Sequence, residues 1–201
     1  MANLPKEIIE LSDAFSSLPN VGPKLSARIA LYLAVSAKDL AKKLSFSLEE
    51  VVNNISKCNI CGNVTNEDIC SICADDKRDK SIVLVIEDSL DLINIESAKE
   101  YKGVYHVLGG VISPINGIGP DDINMTSLIK RVEDPMVKEV ILGLNPNLEG
   151  DSTCLYLKDQ IDGVRDDISV TRLAKGIPVG GDLEYLSSQT IIDSMKSRIN
   201  F

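Results

Sequence analysis

The sequence predicts a multi-part α/β protein. Short apolar runs alternate with helical patterns from residue 82 onward, four of the five cysteines cluster between Cys58 and Cys73, and a helix–turn–helix pattern precedes that cluster. Ile8, Leu11, Phe15 and Leu18 recur at helical spacing, so residues 6–17 should form an amphipathic helix. Pro19-Asn20-Val21-Gly22-Pro23 breaks it, and a second helix should begin near Lys24 with Leu25, Ile29 and Leu33 on one face. Residues 37–57 are helical again, with a Leu40/Leu44 stripe, a capping box at Ser47-Leu48-Glu49-Glu50 and then Val51, Val52 and Ile55. This segment is expected to pack on the hairpin. Beyond the cysteines, Ile82–Ile86, Val104–Leu108, Glu139–Leu144 and Ile168–Ala174 are strand candidates. Helices are expected from the end of the first strand to about Ala98, over Asp121–Val132, and from the loop Asn145–Gly150 through Leu157. Gly109–Pro120 is a Gly/Pro-rich loop, and Thr190–Asn200 fits a terminal helix. Strands alternating with helices imply a parallel sheet covered on both faces.

The chain has 201 residues and 44% apolar content, enough for one medium domain or two small ones. No apolar run reaches the length of a membrane span, and the start Met-Ala-Asn-Leu-Pro-Lys-Glu lacks the pattern of a secretory signal. A cytoplasmic location is the expectation. Net charge is −9, unevenly spread: residues 1–57 carry net +1 and the remainder net −10. An acidic bulk argues against coating nucleic acid by charge alone. DNA contact, if made, should be local, near the N-terminus and sensitive to salt.

Cys58-x-x-Cys61 and Cys70-x-x-Cys73 are separated by eight residues. Each pair can set two thiolates on one side of a tight turn, and two facing turns make the tetrahedral four-thiolate cage that zinc prefers. Gly62 follows the second thiolate, where such a turn often needs positive φ. Two disulfides would need an oxidising compartment, and a thioredoxin-like site uses one Cys-x-x-Cys rather than two in tandem. Four protein ligands leave no position for a catalytic water, so one structural zinc per chain is expected.

The segment Leu18-Pro-Asn-Val-Gly-Pro-Lys-Leu-Ser-Ala-Arg-Ile-Ala30 resembles a helix-hairpin-helix DNA-binding motif. Gly22 would let the backbone approach a phosphate, and the start of the second helix offers free N–H groups and a positive dipole end. Lys24 and Arg28, four apart, share a face and can take neighbouring phosphates without reading bases. The same residues also fit an ordinary helical hairpin with solvated charges.

Acidic residues follow the first and third strands of the sheet, where α/β folds place their sites. The arrangement resembles a Toprim domain, whose catalytic members hold Mg²⁺ between a Glu after one strand and an Asp-x-Asp after a later one. Glu87 fits the first position. Asn145-Pro-Asn-Leu-Glu-Gly150 resembles Asp-Pro-Asp-x-Glu-Gly with both aspartates replaced by asparagine. Neutral amides bind a hard cation far less well than carboxylates, so strand cleavage or polymerisation is not expected, although Glu87, Asp88, Glu149 and Asp151 remain nearby. His106 has no second histidine to form a relay or metal pair, and Cys154 reads as a small buried apolar residue. Lys175–Tyr185 is Gly-rich but lacks the phosphate-loop pattern.

Together these parts resemble the RecR family of bacterial recombination mediators over essentially the whole chain. Leu18–Lys24, the cysteine spacing, Tyr105–Pro114 with Gly117–Pro120, and Lys175–Tyr185 carry the resemblance. It implies a non-enzymatic DNA repair protein: a homotetrameric ring clamp on single- and double-stranded DNA. Such proteins act with RecO, and in many bacteria RecF, to help RecA replace single-strand-binding protein at gaps. It also implies DNA contact through Gly22, Lys24 and Arg28. The partner-binding Toprim face would include Glu87, Asp88, Asn145 and Glu149. The expected division is 1–56 for the hairpin region, 57–79 for the zinc finger, 80–175 for the Toprim domain, and 176–201 for a C-terminal segment serving oligomerisation. Two other readings stay open: a Mg²⁺-dependent Toprim enzyme, such as a nuclease or primase-like protein, and a zinc-stabilised interaction module that never touches DNA.

Overall fold

The computed structural model describes residues 4–199, which form two compact units dividing between Ile55 and Ser56. The first unit is helical: α1 (Lys6–Ser16), α2 (Pro23–Val35) and α3 (Lys38–Asn54). The bond from the Leu18 N–H to Phe15 O and left-handed Asn20 (φ 63°) close the α1–α2 turn. Pro23 then opens α2 at its first position, where a missing N–H costs nothing. The face of α2 that is buried is Ser26, Ala30 and Leu33; it keeps Leu33 of the expected stripe, but Ser26 and Ala30 take the places expected for Leu25 and Ile29. Leu25 is 47% exposed. The reason is close helix approach: Ser12 of α1 and Ser26 of α2 are buried and their hydroxyls lie 3.2 Å apart, a crossing that larger side chains would prevent. α3 forms as expected and meets α2, but without the expected cap or burial. It runs unbroken through Ser47–Glu50, so there is no capping box, and none of its residues is buried.

The second unit begins with the cysteine knuckle. A short antiparallel pair, β1 (Ser56–Lys57) and β2 (Val64–Thr65), and a single helical turn, α4 (Ser71–Ala74), carry it. Then follow β3 (Asp79–Ile86), α5 (Ser89–Ser97), β4 (Gly103–Val107), α6 (Met125–Val132), β5 (Glu139–Leu142), α7 (Leu148–Asp162), β6 (Ser169–Arg172) and α8 (Ser188–Lys196). The four strands β3–β6 form one wholly parallel sheet in the order β4-β3-β5-β6. Successive side chains of a strand face opposite ways, and β3 feeds two layers accordingly. Val83 and Val85 join Leu128 and Val132 of α6 and Leu157 and Ile161 of α7, whereas Leu84 and Ile86 join Tyr105 and Leu92 of α5.

Boundaries shift where single side chains override periodicity. The helix expected from Asp121 starts at Met125, because Pro120–Asp122 forms a 3₁₀ turn and extended Ile123 sends its side chain into the core. α7 continues past Leu157 to Asp162, since Ile161 is also buried. The terminal helix occupies Ser188–Lys196; Asn200, its expected end, lies outside the described residues. No helix among the described residues is long and apolar enough to cross a membrane.

Candidate metal centre and nucleic-acid interface

The Sγ atoms of Cys58, Cys61, Cys70 and Cys73 all lie within 4.8 Å of one another, and all four residues are buried. Local backbone bonds shape the two turns. The Gly62 N–H donates to Cys58 O (2.9 Å), the Cys58 N–H to Asn63 O (2.7 Å) and the Ala74 N–H to Cys70 O (3.0 Å). The Cys70 N–H points at Cys58 Sγ, 3.3 Å away, the kind of bond that stabilises a thiolate. Gly62 has φ +77°, and a Cβ there would also strike the Asn124 amide at 2.6 Å and Val107 O at 2.8 Å, so only glycine fits.

The chemistry of the donor set fits a dication. A hydrogen bond from Cys73 lowers Cys61 to about 5, while that same bond and burial push Cys73 upward; burial raises Cys70. Alone, the cluster therefore shares protons among its thiols, because neighbouring thiolates repel. A central Zn²⁺ removes that conflict and lets all four ionise. The cage holds one zinc through Cys58, Cys61, Cys70 and Cys73, and with four sulfur ligands its role is structural.

The knuckle also closes the sheet. β4 is an edge strand, and its Val107 N–H donates to Cys61 O at 2.7 Å. Asn124 spans the junction: its Nδ2 donates to Val107 O (3.1 Å), and its own carbonyl accepts from His106 Nε2 (2.7 Å). An otherwise open edge is thereby covered.

In the helical unit, Gly22 is the N-cap of α2 with φ −79°, an ordinary value for any residue. Its distinction is space: a Cβ there would meet nothing within 4 Å. Among the described residues no acceptor takes the N–H of Gly22 or Lys24, whereas those of Leu25 and Ser26 are held by Gly22 O. Lys24 and Arg28 are exposed, one helical turn apart, and neither is in an ion pair among the described residues.

At the carboxyl end of the sheet, Glu87 follows β3 and Asn145 lies just beyond β5. The Asn145 Nδ2 donates to Glu87 Oε2 at 2.9 Å. The neighbouring polar groups are turned to local work. Asp88 is the N-cap of α5, accepting from the Leu90 N–H (2.7 Å) and the Asp91 N–H (3.1 Å) in a reciprocal capping box. Asn147 caps α7 by accepting from the Gly150 N–H at 2.8 Å. Glu149 sits half-buried in the first turn of α7, with no side-chain partner among the described residues. Asp151 is held below the usual carboxylate range by Lys175 and Arg172. A cleft of about 870 Å³ opens beside these groups, lined by Asn145, Asn147, Asp151, Arg172, Lys175 and Gln189 among others. The structure thus brings Glu87 and Asn145 together, and places Asp88 in a helix cap. Sequence reasoning missed Arg172 and Lys175 as partners of Asp151; their charges at the end of a strand, after a helix with an acid in its first turn, were the available signal.

Known proteins share both parts of this second unit. Residues 81–174 match the model of the Toprim domain, and residues 55–75 match that of the four-cysteine zinc finger domain of RecR. The Recombination protein RecR of Staphylococcus saprophyticus is 45% identical over 194 residues, covering 96% of this chain and 97% of that one. The protein of the same name from Staphylococcus haemolyticus is 44% identical with the same coverage.

Proposed function

The chain belongs to the RecR family of recombination proteins, and on that premise we propose that it is a non-catalytic DNA clamp that promotes recombinase loading during repair. Its recombination role follows from membership. The finer reading is that it closes into a homotetrameric ring on DNA and acts with RecO, and RecF where used, to help RecA displace single-strand-binding protein at gaps. In this reading residues 1–56 touch DNA, 57–79 form the zinc finger, 80–175 carry the partner face, and 176–201 contribute to assembly.

The observation that carries the proposal is the start of α2. There the N–H groups of Gly22 and Lys24 lack acceptors among the described residues, no Cβ shields them, and the exposed cations Lys24 and Arg28 flank them. Free backbone donors at a helix N-terminus beside two cations suit a phosphate backbone and carry no base information. The helical unit leaves Val35, Phe46 and Val52 more than half exposed, an apolar display that supports assembly. Repetition in a ring offsets the acidic bulk, because weak sites joined in one particle multiply their effect. Glu87, Asp88, Asn145 and Glu149 are assigned to the partner face, with Glu149 as its uncommitted carboxylate.

A reconstituted exchange reaction tests this role. Gapped DNA coated with single-strand-binding protein is offered RecA, with and without RecO and this protein. The proposal predicts faster RecA filament formation only when both are present. Unchanged kinetics with both present would remove the mediator role.

A further inference from the structure

We infer that Asn145 has replaced the divalent cation at this chain's Toprim site: its amide, rather than a metal, is the partner that holds Glu87 and ties the end of β3 to the segment after β5. A Toprim domain implies Mg²⁺ held by acids at these positions, and the residues present do not fit that ion. Mg²⁺ requires near-octahedral oxygen ligands, chiefly carboxylates and water. Here Glu87 Oε2 already accepts from Asn145 Nδ2 at 2.9 Å. Asp88 is spent on the α5 cap, Asn147 on the α7 cap, and Asp151 on Arg172 and Lys175. Among the described residues each of these groups except Glu149 has an internal partner, with Glu87 Oε1 and Asp88 Oδ2 the carboxylate oxygens left over.

The position of Asn145 is fixed rather than incidental. Its carbonyl accepts from the Asn147 N–H at 2.9 Å, and the turn is so tight that a Cβ on Gly150 would collide with Asn145 O. On the same strand end, a Cβ on Gly143 would come within 2.9 Å of the Leu84 side chain. The backbone that carries Asn145 is therefore fixed, and from it the amide reaches Glu87 at the exposed surface. To admit a cation, this bond would have to break, and a neutral amide would have to turn its oxygen towards a carboxylate without supplying compensating charge. The Toprim surface consequently keeps one shape whatever the divalent cation supply. This inference rests on the Toprim match and the geometry, not on the proposed clamp.

The test uses the zinc-loaded full chain and two variants, Asn145→Asp and Asn145→Ala, melted with and without millimolar Mg²⁺ or Mn²⁺. Wild type should be indifferent to either ion. Both variants should melt lower without added ion. Only Asn145→Asp should be restored by it, because a second carboxylate rebuilds the charge a hard cation needs and would raise Mn²⁺ affinity on the order of tenfold or more over Asn145→Ala. Without metal, its two facing carboxylates repel, so one titrates at raised pH and stability falls as pH rises through that value. A wild-type chain stabilised by Mg²⁺, or an Asn145→Asp variant binding no more cation than Asn145→Ala, overturns the inference. Direct Mn²⁺ titration of wild type, followed by electron paramagnetic resonance, decides the matter even if a variant does not fold. All Mn²⁺ remaining free upholds the inference, and bound Mn²⁺ defeats it.

Discussion

Cys58 is 3% exposed and supplies one corner of the thiolate cage. Replacing it with serine removes a soft anionic ligand that the oxygen cannot match. Cys58→Ser should lose its zinc and destabilise the knuckle on the order of 4 kcal/mol or more, as loss of a structural metal does. Zinc content and amide exchange check this together: the Val107 N–H, bonded to Cys61 O, should exchange faster once the knuckle loosens. Full zinc occupancy with wild-type protection at Val107 would contradict the structural role. His106 gives a pH signature. It is fully buried and its pKa is pushed down to about 4 by burial. The unfolded chain, near the ordinary histidine value, takes up its proton first as pH falls, so stability drops through the window from about 6.5 to about 4. Between pH 7 and pH 5, wild type should lose about 2 kcal/mol more than His106→Gln, whose amide can still donate to Asn124 O. Equal losses by urea unfolding would refute this. The cysteines were legible because their spacing is local. The Toprim pattern sets Glu87 and Asn145 on one face but not the bond between them, whose partners lie 58 residues apart.

At the scale of elements, strands were the most legible. β3 reads as a continuous apolar run because both its faces are buried, and its neighbours pair with it in parallel. Helices in the first unit were misjudged in their faces rather than their existence. The α1–α2 crossing is set by Ser12, Ser26 and Ala30, small residues that hydrophobic patterning ignores. α3 meets α2 yet none of its residues is buried, so its apolar stripe marks helical periodicity without marking a buried face. The 3₁₀ turn at Pro120–Asp122 was absorbed into α6 because acidic residues after proline resemble a helix start; the Gly119 N–H bond to Asp122 Oδ2 (2.8 Å) closes it as a separate turn instead. The knuckle's docking was readable only in part. Gly62 signalled a tight turn, but its second constraint, contact with Asn124 and Val107, comes from residues far along the chain.

For the whole molecule, charge and topology divide the labour. The sheet-bearing part carries the negative charge, whereas the first 57 residues are slightly positive. An acidic protein with a small basic contact should bind DNA in a strongly salt-dependent way, since phosphate neutralisation releases counterions. The most direct measurement is retardation of gapped, end-labelled DNA by wild type and by Lys24→Glu/Arg28→Glu, at low and moderate salt with Mg²⁺, each sample run on native and denaturing gels. The account predicts that wild type retards the DNA, less so at moderate salt, and leaves every strand intact. The double variant should fold, keep its zinc and fail to retard. Undiminished retardation by the double variant, or shortened strands with wild type, would contradict it.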